Sequence, residues 1–264
     1  MITDLEYKDM KTELEDLRSK NKQLENMLSE LLNRAGYPDI EDNQPKTFDE
    51  CETDEQIKWL IGKGRDINEF ITSDPNEKNL KPIHKAKDNL IKLSLLVSNG
   101  ADINGKTYNE GETVLHICAR DNCVDSCHML IAIGADVNSK DYRGTTPLFN
   151  AIDNPEILRI LLAANADINA VNYDGLTPFL LAVITNNIGA CYYLAEHGAD
   201  INVRHIGGIT PLIYAVCKKY TDIVKMLIEK GADINTPSDK GYKPIQYCED
   251  ADIRKLLINA GANI

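Results

Sequence analysis

The chain has 264 residues, 43% of them hydrophobic and 6% aromatic, and a formal charge of -12. That length exceeds one small core and allows one or two domains, and scarce aromatics suit a helical array better than a β-sandwich. The acidic balance argues against nucleic acid as a partner, because phosphate binding requires clustered Lys and Arg.

The chain starts Met-Ile-Thr-Asp with no basic or apolar leader, and no long apolar run follows. These features predict neither a signal peptide nor a membrane span. Seven cysteines without framework spacing point to a reduced, intracellular compartment, the cytoplasm.

The first predicted element is a helix over residues 1–35. Thr3 and Glu6 form a capping box, Ile2 and Tyr7 a hydrophobic staple, and Gly36 and Pro38 close the far end. A heptad runs through it, with Tyr7, Leu14, Asn21, Leu28 and Ala35 at a and Met10, Leu17, Leu24 and Leu31 at d. A lone Asn at an a position fixes parallel register and two strands. In a parallel homodimer the edge pairs Glu6–Lys11, Glu13–Arg18 and Lys20–Glu25 are opposite in sign, and the fourth, Met27–Leu32, is apolar. The segment resembles a leucine zipper, so it is predicted to dimerise in parallel through Tyr7, Met10, Leu14, Leu17, Asn21, Leu24, Leu28 and Leu31. A helix folded back on the rest of the chain and a higher oligomer remain as alternatives. Zipper-type DNA binding needs a basic helix on the N-terminal side, and only six residues precede the heptads.

Residues 36–46 read as an acidic linker. From Gly36 to Lys58 the chain has eight acidic residues and two lysines, half the net charge, so self-repulsion keeps this stretch open.

From Thr47 the chain repeats. Gly-Ala-Asp-Ile/Val-Asn recurs at Gly100, Gly134, Gly198 and Gly231, with variants at Gly64 and Asn165 and a partial copy at Gly261, at spacings of 36, 34, 31, 33, 33 and 30. Between the copies stands a Gly followed by a helix opener: Thr113-Val114-Leu115-His116, Thr146-Pro147-Leu148, Thr177-Pro178-Phe179 and Thr210-Pro211-Leu212, with weaker forms at Lys81 and Lys243. Thr caps the helix, Pro fits its first position, and the preceding Gly supplies a positive φ. A second apolar-periodic helix follows, as in Asp222–Ile228.

This run resembles the ankyrin repeat, by its period and its Thr-Pro-Leu-His signature. The resemblance implies an all-α ankyrin-repeat solenoid of helix-turn-helix units with β-hairpin fingers, over residues 47–264. It comprises five complete repeats, Asn76–Asn104 through His205–Asn235, between incomplete units at Thr47–Asn68 and Ser238–Ile264. The signature His stands only at His84 and His116, so its inter-repeat hydrogen bonds are expected to be missing elsewhere. The short repeat Asp141–Asn169, with Pro155 close behind its first helix, is expected to bend the solenoid. The loop from Glu69 to Asn79 is long and polar.

No phosphate loop, His-Glu-x-x-His or nucleophile elbow occurs, so no enzyme and no cofactor are expected. His116, Cys118, Cys123, Cys127 and His128 are metal-ligand types within thirteen residues. However, His116 is the signature His, and Cys127 and His128 take different helix faces, so buried small side chains are the simpler reading and no metal is expected.

The resemblance implies a binding surface of finger tips and outward positions on the first helices. Those positions are Tyr108, Asn109, Glu110, Glu112, Tyr142, Arg143, Thr145, Tyr173, Asp174, Leu176, Ile206, Ile209, Asp239, Lys240 and Tyr242, with Arg120, Asp121 and Asp153 behind them. Tyrosines stacked on neighbouring fingers are the competing reading. The expected function is binding an unidentified protein, bivalently through the dimer, with no nucleic acid and no membrane involved. The alternatives are structural self-assembly and a metal response from the Cys/His cluster.

Overall fold

The computed structural model describes residues 45–48, 50–70 and 80–263. The expected zipper, most of the linker and most of the Glu69–Asn79 loop lie outside them. Contacts divide the chain into Met1–Cys51 and Glu52–Ile264. In the first unit the described residues form a turn, in which Glu50 N donates to Thr47 O at 3.1 Å.

The second unit is helical, and no strand occurs among the described residues. Its helices are α1 (Asp54–Gly62), α2 (Pro82–Lys85), α3 (Leu90–Ser98), α4 (Val114–Arg120), α5 (Val124–Ala132) and α6 (Pro147–Asn150). They continue as α7 (Pro155–Ala163), α8 (Pro178–Ile184), α9 (Ile188–Glu196), α10 (Pro211–Lys218), α11 (Thr221–Glu229) and α12 (Ala251–Asn259). The segment Pro244–Tyr247 forms a single 3-10 turn.

Two layers result. The first helices α2, α4, α6, α8 and α10 pack in series, and the second helices α1, α3, α5, α7, α9, α11 and α12 form the other row. The third residue of each opener, Ile83, Leu115, Leu148, Phe179, Leu212 and Ile245, is buried between the layers. Second helices contribute pairs at helical spacing, such as Leu158 with Leu161 and Val224 with Leu227. Truncating one such Leu costs about 2–5 kcal/mol.

Hydrogen bonds couple the repeats in a regular ladder. The Oδ1 of Asn68, Asn104, Asn138, Asn169 and Asn202 accepts from the backbone N–H of Asp102, Asp136, Asp167, Asp200 and Asp233, at 2.7–2.9 Å. Asn235 continues the series to Asn263 at 2.8 Å. Within each copy the Asp Oδ1 accepts from the Asn N–H two residues on, as Asp136 does from Asn138 at 2.9 Å. Thus Asp shapes the turn while Asn joins it to the next repeat.

The Thr-led helix starts behave as capping chemistry requires, with one exception. Thr177 Oγ1 accepts from Leu180 N, and Thr210 Oγ1 from Ile213 N, both at 3.2 Å. At Thr113 the His116 ring takes part, its Nδ1 accepting from Thr113 N at 3.2 Å while its Nε2 donates to Thr145 O at 2.9 Å in the next repeat. His84 does the same between Lys81 N and Gly105 O, both at 2.9 Å. Where the His is absent, Asn150 and Asn187 Nδ2 reach back to His116 O and Ile152 O at 3.1 Å. The coupling expected to be missing is therefore partly replaced.

The exception is Thr146. Phe149 N donates to its carbonyl at 3.0 Å rather than to its hydroxyl, and the buried Oγ1 has no partner. Thr146→Val is therefore expected to be neutral or stabilising, whereas Thr177→Val loses about 1 kcal/mol of capping. Thermal denaturation of the two variants checks this: equal losses would show that Thr146 also caps.

Candidate protein-binding surface

Each finger is a short loop closed by one backbone bond. Asp141 N donates to Thr145 O at 2.9 Å, Asn172 N to Leu176 O at 3.0 Å, His205 N to Ile209 O at 2.9 Å and Ser238 N to Tyr242 O at 2.9 Å. The first finger is one residue longer, with Thr107 N donating to Glu112 O at 2.9 Å. The anchoring side chain fixes the turn: Asp141 Oδ1 accepts from Arg143 N at 2.8 Å and Thr145 N at 2.7 Å, and Asn172 Oδ1 from Asp174 N at 3.0 Å and Leu176 N at 2.9 Å. Of the expected β-hairpin pairing, one isolated bridge occurs among the described residues, His205 with Ile209.

Neighbouring fingers bond to one another. Tyr142 N donates to Glu110 O, Tyr173 N to Arg143 O and Asp239 N to Gly207 O, each at 2.9 Å. Between the third and fourth fingers His205 Nε2 donates to Asp174 O at 2.8 Å. Lys106 Nζ reaches Lys140 O at 2.6 Å, and Arg204 bonds Pro237 O and Asp239 Oδ1, both at 2.9 Å.

The tips form a row. Tyr108 is 62% exposed, Tyr142 58%, Tyr173 74%, Ile206 75% and Tyr242 51%. Part of each central ring packs on the finger before it. Gly111, at φ 71°, has the Tyr142 ring where a Cβ would stand, 2.5 Å away, and Gly144, at φ 75°, holds Tyr173 likewise at 2.9 Å. Stacking and exposure thus coexist: each ring is oriented by its neighbour and still open to solvent. Tyr108 meets Phe70 edge-on with ring centroids 5.7 Å apart, and Tyr242 meets Tyr247 at 5.9 Å.

Asn109, Arg143, Asp174, Asp239 and Lys240 are exposed with them, while Glu110, Thr145, Leu176 and Ile209 are half-buried. Glu112 corrects the expectation that the residue after Gly is free, because it is buried and its carboxylate holds Arg120. Arg120 also meets Asp121 at 3.2 Å, and Lys87 bridges Asp121 at 3.3 Å and Asp88 at 2.6 Å. Asp88 accepts from the Cys123 thiol at 2.8 Å, which together with Lys87 holds its carboxyl below the usual range. Asp153 accepts from Asn187 Nδ2 at 3.0 Å. The charged positions behind the fingers therefore brace the repeats.

The Cys/His cluster is dispersed. His116 has both nitrogens bonded in its helix opener, and His128 is exposed. Cys118 and Cys127 are buried, and the Cys127 thiol beside Cys118, with burial, pushes the Cys118 thiol far up. Burial pushes the half-exposed Cys123 up to about 11. Among the described residues no group of three or more His, Cys, Asp or Glu is placed to hold a metal ion, and no helix there is long and apolar enough to cross a membrane.

Comparison with known proteins agrees with this architecture. Models of ankyrin repeats match residues 50–141, 139–205 and 194–248. Alpha-latrotoxin-Lh1a of Latrodectus hasselti is 34% identical over 103 residues, covering 38% of this chain and 7% of that protein. The nuclear factor NF-kappa-B p105 subunit of Gallus gallus is 34% identical over 101 residues, 37% of this chain and 10% of that protein. The chain thus spans a tenth or less of the length of these two relatives. Among solved structures, the ankyrin repeat domain of Bcl-3 superposes with a TM-score of 0.69 at 24% identity, covering 78% of this chain and 91% of that one. An ankyrin repeat domain of Acinetobacter baumannii AYE gives 0.63 at 30% identity, covering 69% and 98%.

Proposed function

The chain belongs to the ankyrin-repeat family, and on that premise we propose that it is a binding protein that holds a protein partner on its finger row and is paired by residues 1–35. The observation that carries the first half is the row of oriented, exposed tips from Tyr108 to Tyr242. Rigid aromatic anchors dominate protein interfaces because each removes much apolar area from water for little lost side-chain freedom. Similar repeats occur in proteins as different as a latrotoxin and an NF-kappa-B subunit, so what is shared is the repeat and not one target. The charge of -12 favours a protein over a nucleic acid as partner.

The pairing half is supported by sequence: the heptad with Asn21 among apolar a residues and opposite charges along both edges. A parallel pair joined through an acidic tether presents two finger rows, so a target with two sites within reach is held with added avidity. Light-scattering mass of the full chain and of a chain beginning at Asp42 tests this half. A dimer that becomes a monomer on shortening is expected. Two monomers would refute pairing, and an oligomeric shorter chain would turn the reading to self-assembly of the repeats. Substituting Leu17, Asn21 and Leu24 together should remove avidity and leave single-arm affinity intact.

A further inference from the structure

We propose that Asn99 is a site of slow covalent modification, deamidation at the Asn99-Gly100 bond, and that the change undocks α1 from the rest of the array. The sequence has two Asn-Gly pairs, Asn99-Gly100 and Asn104-Gly105. Asparagine amides are thermally labile, and a following glycine, lacking a Cβ, leaves its own nitrogen unhindered towards the side chain. In the reaction Gly100 N attacks Asn99 Cγ. The N–Cγ bond forms, the Cγ–Nδ2 bond breaks, and ammonia leaves with the Gly100 amide proton. Solvent water then opens the five-membered imide at either carbonyl. The net change is asparagine plus water to aspartate or isoaspartate plus ammonia.

The two pairs stand in different surroundings. Gly100 is exposed, and a Cβ placed on it would meet nothing within 4 Å. Gly105 is buried. A Cβ there would meet Asp102 O at 2.9 Å and Lys81 Nζ at 3.2 Å. The Gly105 carbonyl also accepts from the buried His84 ring at 2.9 Å. Asn99 stands at ψ 14°, which carries Gly100 N away from the side chain, and Gly100 N donates to Val97 O at 3.1 Å. Ring closure at Asn99 therefore needs the exposed turn to open briefly. At Asn104 it needs a packed junction to come apart, which costs more.

The same turn holds the α1 unit. Asn99 Nδ2 donates to Asp54 Oδ1 at 2.6 Å, at the first residue of α1. Asn68 Nδ2 donates to Gly100 O at 3.1 Å, and Asn68 Oδ1 accepts from Asp102 N at 2.7 Å. Deamidation turns the Asn99 donor into a carboxylate facing the Asp54 carboxylate, which also pairs with Lys58. The Asn99 amide is the main reason the Asp54 carboxyl sits below its usual range, so that carboxyl moves up when the amide is lost. The isoaspartate product in addition lengthens the main chain by one carbon, immediately before the two groups that bond Asn68. Both products weaken the junction from Asp54 to Asn68, and the rungs from Asn104 onward keep their atoms.

The test ages the full chain at neutral pH and physiological temperature, with a urea-unfolded sample beside it. Fragment-ion mass spectrometry places each gain of one mass unit at Asn99 or at Asn104. In the folded chain Asn99 is expected to convert at least about ten-fold faster than Asn104, because local opening is far easier at exposed turns than in packed junctions. Hydrogen exchange of α1 should quicken as conversion proceeds, and in fresh Asn99→Asp, while α7 to α11 stay protected. Asn99→Gln should abolish both the mass gain at that position and the loosening of α1 on ageing. Circular dichroism confirms that the variants are folded. Equal or faster conversion at Asn104 would overturn the inference. So would an Asn99 still intact when the unfolded sample is fully converted, or unchanged α1 exchange in both the aged chain and Asn99→Asp.

Discussion

Replacing both central tip rings, Tyr142→Ala with Tyr173→Ala, is expected to weaken binding of a captured protein partner by at least about 100-fold, since each buried aromatic anchor contributes about 2 kcal/mol or more. Both rings are mostly exposed in the free chain and lean on glycines. Their loss therefore changes folding stability by less than about 1 kcal/mol. Tyr192→Ala is the control, because that side chain lies on α9, bonded to Glu229 at 3.2 Å and away from the fingers. Titration calorimetry with matched thermal melts separates affinity from stability. Full affinity in the double variant, with α9 substitutions weakening it instead, would move the binding surface to the second-helix layer.

Acid is expected to uncouple the repeats nearest the N-terminus first. His84 accepts from Lys81 N through Nδ1 and donates to Gly105 O through Nε2, both at 2.9 Å. A second proton would displace the Lys81 bond and charge a buried ring. Burial accordingly lowers its pKa from 6.5 to about 4, and His116 is lowered by the same cause. The sign follows from which state binds protons. Above pH 6.5 both states are neutral at His84 and its contribution is fully present. As pH falls towards about 4 the unfolded chain takes up the proton and the folded chain does not. Stability therefore drops by about 1.4 kcal/mol per pH unit, or about 3 kcal/mol over that window from His84 alone. The paired carboxylates Asp54 and Asp88, held below 3.8, lose their contribution only at lower pH.

Repeat stability is a sum over units and their junctions, so the loss falls where the histidines are. Hydrogen exchange between pH 7 and pH 4.5 should show α2 to α5 loosening while α8 to α12 stay protected. His84→Gln should flatten the acid limb of the stability curve. Uniform loosening along the chain would instead assign the acid response to net charge.

Most of this fold was legible because its determinants are local. The Thr-Pro pair fixes a helix start within four residues, and it marks α6, α8 and α10 at their first residues. What escaped depends on partners about thirty residues away. Asn68 through Asn235 were visible as the closing letter of a motif. Their role as donors and acceptors between repeats appears only when copies are stacked. Glu112 misled for the same reason: its place after glycine is half-buried in the next three fingers and exposed in the last, but one extra residue in its finger and Arg120 eight residues on draw it inside. His205 left no sequence signal at all, because its ring stands in for a backbone donor. The tip tyrosines were readable as a row, and their packing on Gly111 and Gly144 was not.

The asparagine ladder bears on how such a chain changes in length over generations. Every rung takes its acceptor from one copy and its donor from the following copy, by the same two atoms each time. Unequal crossing-over that duplicates or deletes one whole copy joins two ends that already match, and each rung keeps its donor and its acceptor. A gain or loss within a copy is absorbed between the rungs, which persist although their two residues lie 34, 32, 29, 31, 31 and 28 positions apart along the chain. Copy number is thereby free to drift, and the stretches between rungs can vary in length. The tips, which take no part in the ladder, can diversify from one copy to the next.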